Sequence, residues 1–121
     1  MQGYLRHSQV WLRLLFVLLL STPAALGAAF AGVGIDGVPQ HTGEIEVRQL
    51  VTNGPAHQAG IRVGDVITHI DGIPIRGLDF QHVVSEKLRG RSGSQVILTV
   101  RRPSYATPLT FTMVRRLIVT R

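Results

Sequence analysis

A chain of 121 residues with a formal net charge of +6 holds one domain of ordinary size at most. It contains no cysteine, which excludes a disulfide framework and thiol chemistry. Its cations are scattered and lack interleaved aromatics, so the charge suits an anionic surface or acidic partners and argues against nucleic acid.

Met1 to Arg13 carries Arg6 and Arg13 and no acid, Leu14 to Leu20 is unbroken apolar sequence, and small residues follow from Ser21 to Ala29. This is the three-part pattern of a secretory signal peptide over residues 1–29, with small-x-small cleavage sites ending at Gly27, Ala29 or Ala31. The alternative is a retained anchor. Leu14 to Ala31 is 18 residues without a charge, the lower limit for crossing a bilayer. Either way the remainder lies outside the cytoplasm: in the periplasm, on the periplasmic face of the inner membrane, or secreted. Setting aside Arg6 and Arg13 leaves 11 basic residues against 7 acidic in that remainder.

Gly32-Val33-Gly34-Ile35-Asp36 opens the folded part, with apolar residues at alternate positions and glycines that let another backbone approach. On these residues alone it reads as a glycine-rich edge strand. After a turn over Pro39 to Gly43, Glu44 to Val51 reads as a half-buried strand, with Ile45, Val47 and Val51 inward and Arg48 and Leu50 on the other face. Gly54-Pro55 opens a short helix that Gly60 ends, because proline tolerates the first helical position and its fixed φ is already helical. Val63-Gly64-Asp65 is a turn, Val66 to Ile70 a β-branched strand, Asp71-Gly72 a second turn, and Ile73-Pro74-Ile75 a short edge piece.

Asp79 is placed to cap a second helix, whose apolar residues Phe80, Val83, Val84 and Leu88 fall on one stripe. Arg89 and Gly90 close it, with a cation at the negative end and glycine at the stop. Two alternating strands, Gln95 to Arg101 and Leu109 to Val114, follow, joined by a hairpin over Pro103 to Pro108. Arg101-Arg102 and Arg115-Arg116 fit solvated strand ends.

The order β, β, short α, β, β, α, β, β lacks βαβ alternation. It predicts a mostly β, α+β domain: a small, partly open antiparallel barrel of about six strands capped by one short and one longer helix. His41, His57, His69 and His82 lie in different elements without metal-ligand spacing, and Asp65 and Asp71 sit in turns where aspartate accepts local backbone hydrogen bonds. No cofactor, metal or catalytic residue is expected.

Taken together, GPAHQAGIRVGDVITHIDGIPI (residues 54 to 75) resembles the core signature of bacterial PDZ domains. LRGRSGSQVILTVRR (88 to 102) and TPLTFTMVRR, up to Arg116, are similar to the PDZ domain of the C-terminal processing peptidases. The resemblance runs from Gly32 to about Arg116 and implies a PDZ domain over residues 30–116 with a short tail over 117–121. It also implies a groove between the second strand and the long helix, where an extended peptide, usually a C-terminus, joins the sheet edge.

The family's carboxylate loop matches Gly32-Val33-Gly34-Ile35, so the N–H groups of Val33, Gly34 and Ile35 would hold the anion, and the helix wall would come from Phe80, Val84 and Leu88. Packing in the core is the competing role for that stripe, and Val83 is expected to face inward. The helix aligns in two registers one residue apart, so either Phe80 or Gln81 opens the groove. His82 stands too late to match the family's hydroxyl-selecting histidine, and a groove of Phe and Val favours an apolar terminal side chain.

In the resembling peptidases a separate domain carries a Ser-Lys pair; here the only lysine is Lys87 and only Leu117 to Arg121 follows the matching region, so no enzymatic activity is expected. The resulting expectation is an exported peptide-binding module that captures C-termini or extended segments of envelope proteins. Its alternative is a membrane-anchored adaptor in an envelope protease or secretion assembly, touching the membrane only through an uncleaved leader.

Overall fold

The computed structural model describes residues 32–118. The expected leader, 1–29, and the tail from 119 onward lie outside the described residues.

Strands β1 (Ile35–Pro39), β2 (Ile45–Leu50), β3 (Val66–Ile70), β4 (Ile73–Pro74), β5 (Gln95–Arg101) and β6 (Leu109–Val114) form one antiparallel sheet. Its order is β1-β2-β3-β5-β6, with β4 paired to β3 off that path. Helix α1 (Pro55–Ala59) lies between β2 and β3 in the chain; helix α2 (Phe80–Val83) lies between β4 and β5 and runs on as a π turn over Val84–Leu88. A single bridge joins the two ends of the sheet path. Gly32 and Arg116 exchange N–H···O bonds of 3.1 Å in both directions, so the ends touch at one point and the sheet is not closed.

Period-2 alternation drives the core. On β5, Val96, Leu98 and Val100 are fully buried while Gln95 and Arg101 are exposed, and on β2 Ile45 and Val47 are buried in the same way. β3 is buried nearly throughout because it pairs with β2, β4 and β5. Between the strands, Gly60 takes φ +109° and returns its N–H to the carbonyls of Ala56 and His57, which stops α1 after five residues. Asp79 caps α2 by accepting the His82 N–H at 3.1 Å, and Val83 is fully buried beneath it.

Several expectations need correction. The first strand starts at Ile35, not Gly32, and runs on to Pro39. Gly34 has φ +78°, which no strand residue adopts, and the Val33 and Gly34 carbonyls accept from Ala56 N–H (2.9 Å) and Val51 N–H (3.0 Å) rather than from a neighbouring strand. In β2 a bulge between Asp36 and Gly37 sets Arg48 as an extra residue, so the alternation changes phase and Leu50 turns half-buried. Glu44 is buried and meets Arg101 at 3.3 Å.

The helix end also differs. Ser85 Oγ donates to the Gln81 carbonyl at 2.5 Å, competing with the regular backbone bond, and the turn widens until Arg89 N–H reaches the Val84 carbonyl at 3.0 Å. The chain then leaves at Arg89 in extended conformation, φ −78° and ψ 156°. Gly90 is not a left-handed stop. A Cβ there would stand 2.8 Å from Arg115 Nε, so glycine is required to let that guanidinium approach.

Two arginines expected in solvent are built into the interior. Arg102 makes a two-pronged pair with buried Asp65, Nε to Oδ1 and Nη2 to Oδ2 both at 2.8 Å, and also donates to the Gly60 carbonyl. Its guanidinium lies over the rings of Tyr105 and Phe111. The hydrogen bonds to Asp65 raise its already high pKa, so it stays charged at all accessible pH. Arg115 is buried and donates to the carbonyls of Lys87, Leu88 and Gln95 and to Ser94 Oγ, at 2.7 to 3.1 Å. Asp71 accepts from the distant Ile97 N–H in β5 rather than locally.

Candidate functional site

β1 ends the sheet path, so its outer edge has no strand partner among the described residues. Between that edge and the α2–π turn runs a groove of about 790 Å³. It brings together Gly32, Val33, Gly34 and Ile35 on one side and Phe80, Val84 and Leu88 on the other. Both Phe80 and Gln81 line it, so the two helix registers left open by the sequence each contribute a side chain. Val83 points into the core instead.

The loop before β1 is shaped by what holds its carbonyls. With Val33 O and Gly34 O taken by α1 and Val51, the N–H groups of Val33 and Gly34 are left with no acceptor among the described residues. Gly34, between these groups and β1, takes a left-handed φ of +78°. A side chain there would be strained by the φ and would stand 3.2 Å from Val51 Cβ. Ile35 belongs to β1, and the Val51 N–H bond to the Gly34 carbonyl makes its pair with Leu50 the non-hydrogen-bonded kind, so the Ile35 N–H also faces away from β2.

Which end of the helix meets this loop follows from two arginines in sequence. Arg115 binds the carbonyls of Lys87 and Leu88, and its neighbour Arg116 is bridged to Gly32. The helix C-terminus is therefore tied to the loop end of the groove. There the i→i+5 bond stacks Arg89 beneath Val84, and both residues line the groove. Arg89 enters no ion pair among the described residues.

Sequence reasoning missed Asp36, Leu50, Arg89 and Ile118, which also line the groove. Leu50 is hidden by the β2 bulge and Arg89 by the π turn. The alternation gave no direct signal for either. Among the described residues no group of metal-ligating side chains exists. His57 instead accepts the Asn53 N–H through Nδ1 at 3.0 Å, and His69 meets Thr68 Oγ1. No helix of the described residues is long and apolar enough to cross a membrane.

The sequence model of a family described as PDZ domain matches residues 46–102. A carboxy-terminal processing protease of Bacillus subtilis is 33% identical over 91 residues, covering 75% of this chain and 18% of its own length. Among solved structures, the PDZ domain of a carboxy-terminal protease from Vibrio cholerae, in complex with peptide, superposes with a TM-score of 0.66 at 26% identity. That match covers 76% of this chain and 99% of that one. A photosystem II D1 C-terminal processing protease gives a TM-score of 0.68 at 25% identity, over 85% of this chain and 27% of its own. The chain spans a fifth or less of the length of the first curated relatives it matches.

Proposed function

Because this chain belongs to the PDZ domain family, we propose that its groove binds the C-terminus of an extended peptide by strand addition to β1. The observation that carries this reading is the combination at one site of a sheet edge and two loop N–H groups without partners among the described residues, and an apolar helix wall. Main-chain bonds along Ile35–Pro39 supply affinity, while Val33 and Gly34 N–H hold the terminal carboxylate, with the Arg89 cation at the same end. Ile35, Phe80, Val84 and Leu88 enclose the last side chain, which favours an apolar one. The related domain from Vibrio cholerae, solved with a peptide, supports the class of ligand.

The role proposed for this groove is binding. The leader pattern supports an exported module, with C-termini or extended segments of envelope proteins as ligands. Affinity is modest, since one short strand buries little area and must be ordered on binding. An amide NMR titration with a decapeptide ending in Ala-Gln-Val tests the site. Shifts at residues 33 to 39 and 80 to 89 are expected; shifts confined to other faces, or none, would overturn the assignment.

A further inference from the structure

We propose that Asp36 makes this groove select C-termini with a cationic side chain at the residue before the last; the inference rests on the peptide-binding reading above. Ile35 and Asp36 are adjacent on β1, so their side chains point to opposite faces. Ile35 is half-buried in the groove and Asp36 is exposed at its rim. A ligand strand running antiparallel to β1, with its carboxylate at Val33 and Gly34, sets its last residue opposite Ile35 and the preceding one opposite Asp36. Directly opposed residues share a face, with Cβ atoms about 4.5–5.5 Å apart. The penultimate side chain therefore meets the Asp36 carboxylate.

That carboxylate is uncommitted. Among the described residues it enters no ion pair and no side-chain hydrogen bond, and its register partner on β2 is neutral Gln49. The charged groups on the adjoining strand are exposed Arg48 and half-buried Glu46, turned to each other at 3.5 Å, so they largely cancel. Arg89, the other charged residue lining the groove, belongs to the helix side at the carboxylate end. With a formal net charge of +6, the chain as a whole repels a cationic ligand. A preference for one would therefore run against the general field and report the local acid.

The test compares three labelled decapeptides with free C-termini, ending in Ala-Lys-Val, Ala-Gln-Val and Ala-Glu-Val, by fluorescence anisotropy at low salt. The full chain is used in mild detergent, in its native form and as Asp36→Asn and Asp36→Lys. The native chain should bind Lys over Gln over Glu, each step about two- to fivefold, the size of an exposed cross-strand ion pair. The order should collapse in Asp36→Asn, reverse in Asp36→Lys, and fade as salt rises. Equal affinities in the native chain, or an order unmoved by Asp36→Lys, would overturn the inference while leaving peptide binding intact. Failure of all three to bind would overturn the peptide-binding reading and this inference with it.

Discussion

Arg115→Met isolates the anchor of the groove wall. The substitution keeps an unbranched apolar stem but removes four hydrogen bonds, two of them to the last carbonyls of the π turn. A buried acceptor left without a partner costs about 1–3 kcal/mol. Leu88 is buried, so its carbonyl bears the full penalty, whereas Lys87, Ser94 and Gln95 are less enclosed and water can replace part of theirs. The added apolar contact of methionine offsets a fraction. The net expectation is a loss of roughly 2–3 kcal/mol, which for a domain of this size lowers Tm by roughly 10–20 °C. Arg115→Lys keeps the charge but lacks the planar fork, and should fall about midway. Urea unfolding followed by far-UV circular dichroism reads both, and an unchanged slope would show that native stability moved rather than the unfolded state. At temperatures well below the transition, Arg115→Met should also weaken peptide binding, because the helix is no longer tied to the loop end of the groove. A stability within about 0.5 kcal/mol of the native chain would refute the anchoring role, since that is the scatter of ordinary surface substitutions.

Arg102→Met leaves Asp65 buried without its partner and should cost about 3–5 kcal/mol in the same unfolding assay, while the double replacement Arg102→Met with Asp65→Leu should recover much of that loss. Gly34→Val forces a branched side chain onto φ +78° against Val51 and should abolish binding of a free C-terminal peptide in an anisotropy titration. N-terminal sequencing of the purified protein should find processing after Gly27 or Ala29, or none. A mature start at Gly32 would contradict it by leaving the loop held only through its own terminal residue.

Much of the fold is legible in the sequence because alternation and turn chemistry are local. Val66 to Ile70, Gln95 to Arg101 and Leu109 to Val114 form strands within the expected bounds, and Pro55 and Gly60 delimit α1. What escapes is set by partners far along the chain. Arg102 and Arg115 look like solvated ends, yet each continues the inward parity of its strand: Val96, Leu98, Val100, Arg102 on one, and Leu109, Phe111, Met113, Arg115 on the other. That parity was the available signal. Their acceptors lie 37 and 42 positions away for Arg102 and 20 to 28 away for Arg115, so neither spacing nor propensity names them.

The groove shows the same division. The Gly-Val-Gly-Ile loop and the Phe80 stripe were identified by resemblance, and the structure brings them to one site. Leu50 and Arg89 reach it only because a bulge and a π turn each shift the phase by one residue. Ser85 is the one local hint of the second, and on sequence alone it is indistinguishable from a surface serine. On sequence Asp36 reads as part of an edge strand, and it acquires meaning only once β1 is seen to lack an outer partner among the described residues.

Capture of a terminal carboxylate at Val33 and Gly34 is most directly tested by one comparison. A peptide ending in Ala-Gln-Val is titrated against the full chain with its C-terminus free and again with the same terminus amidated. The free acid should bind and the amide should bind at least about tenfold more weakly, the loss expected when charge-assisted bonds to backbone N–H are removed. Equal binding of both forms would contradict carboxylate capture, and absence of binding by either would contradict the groove as a C-terminal peptide site.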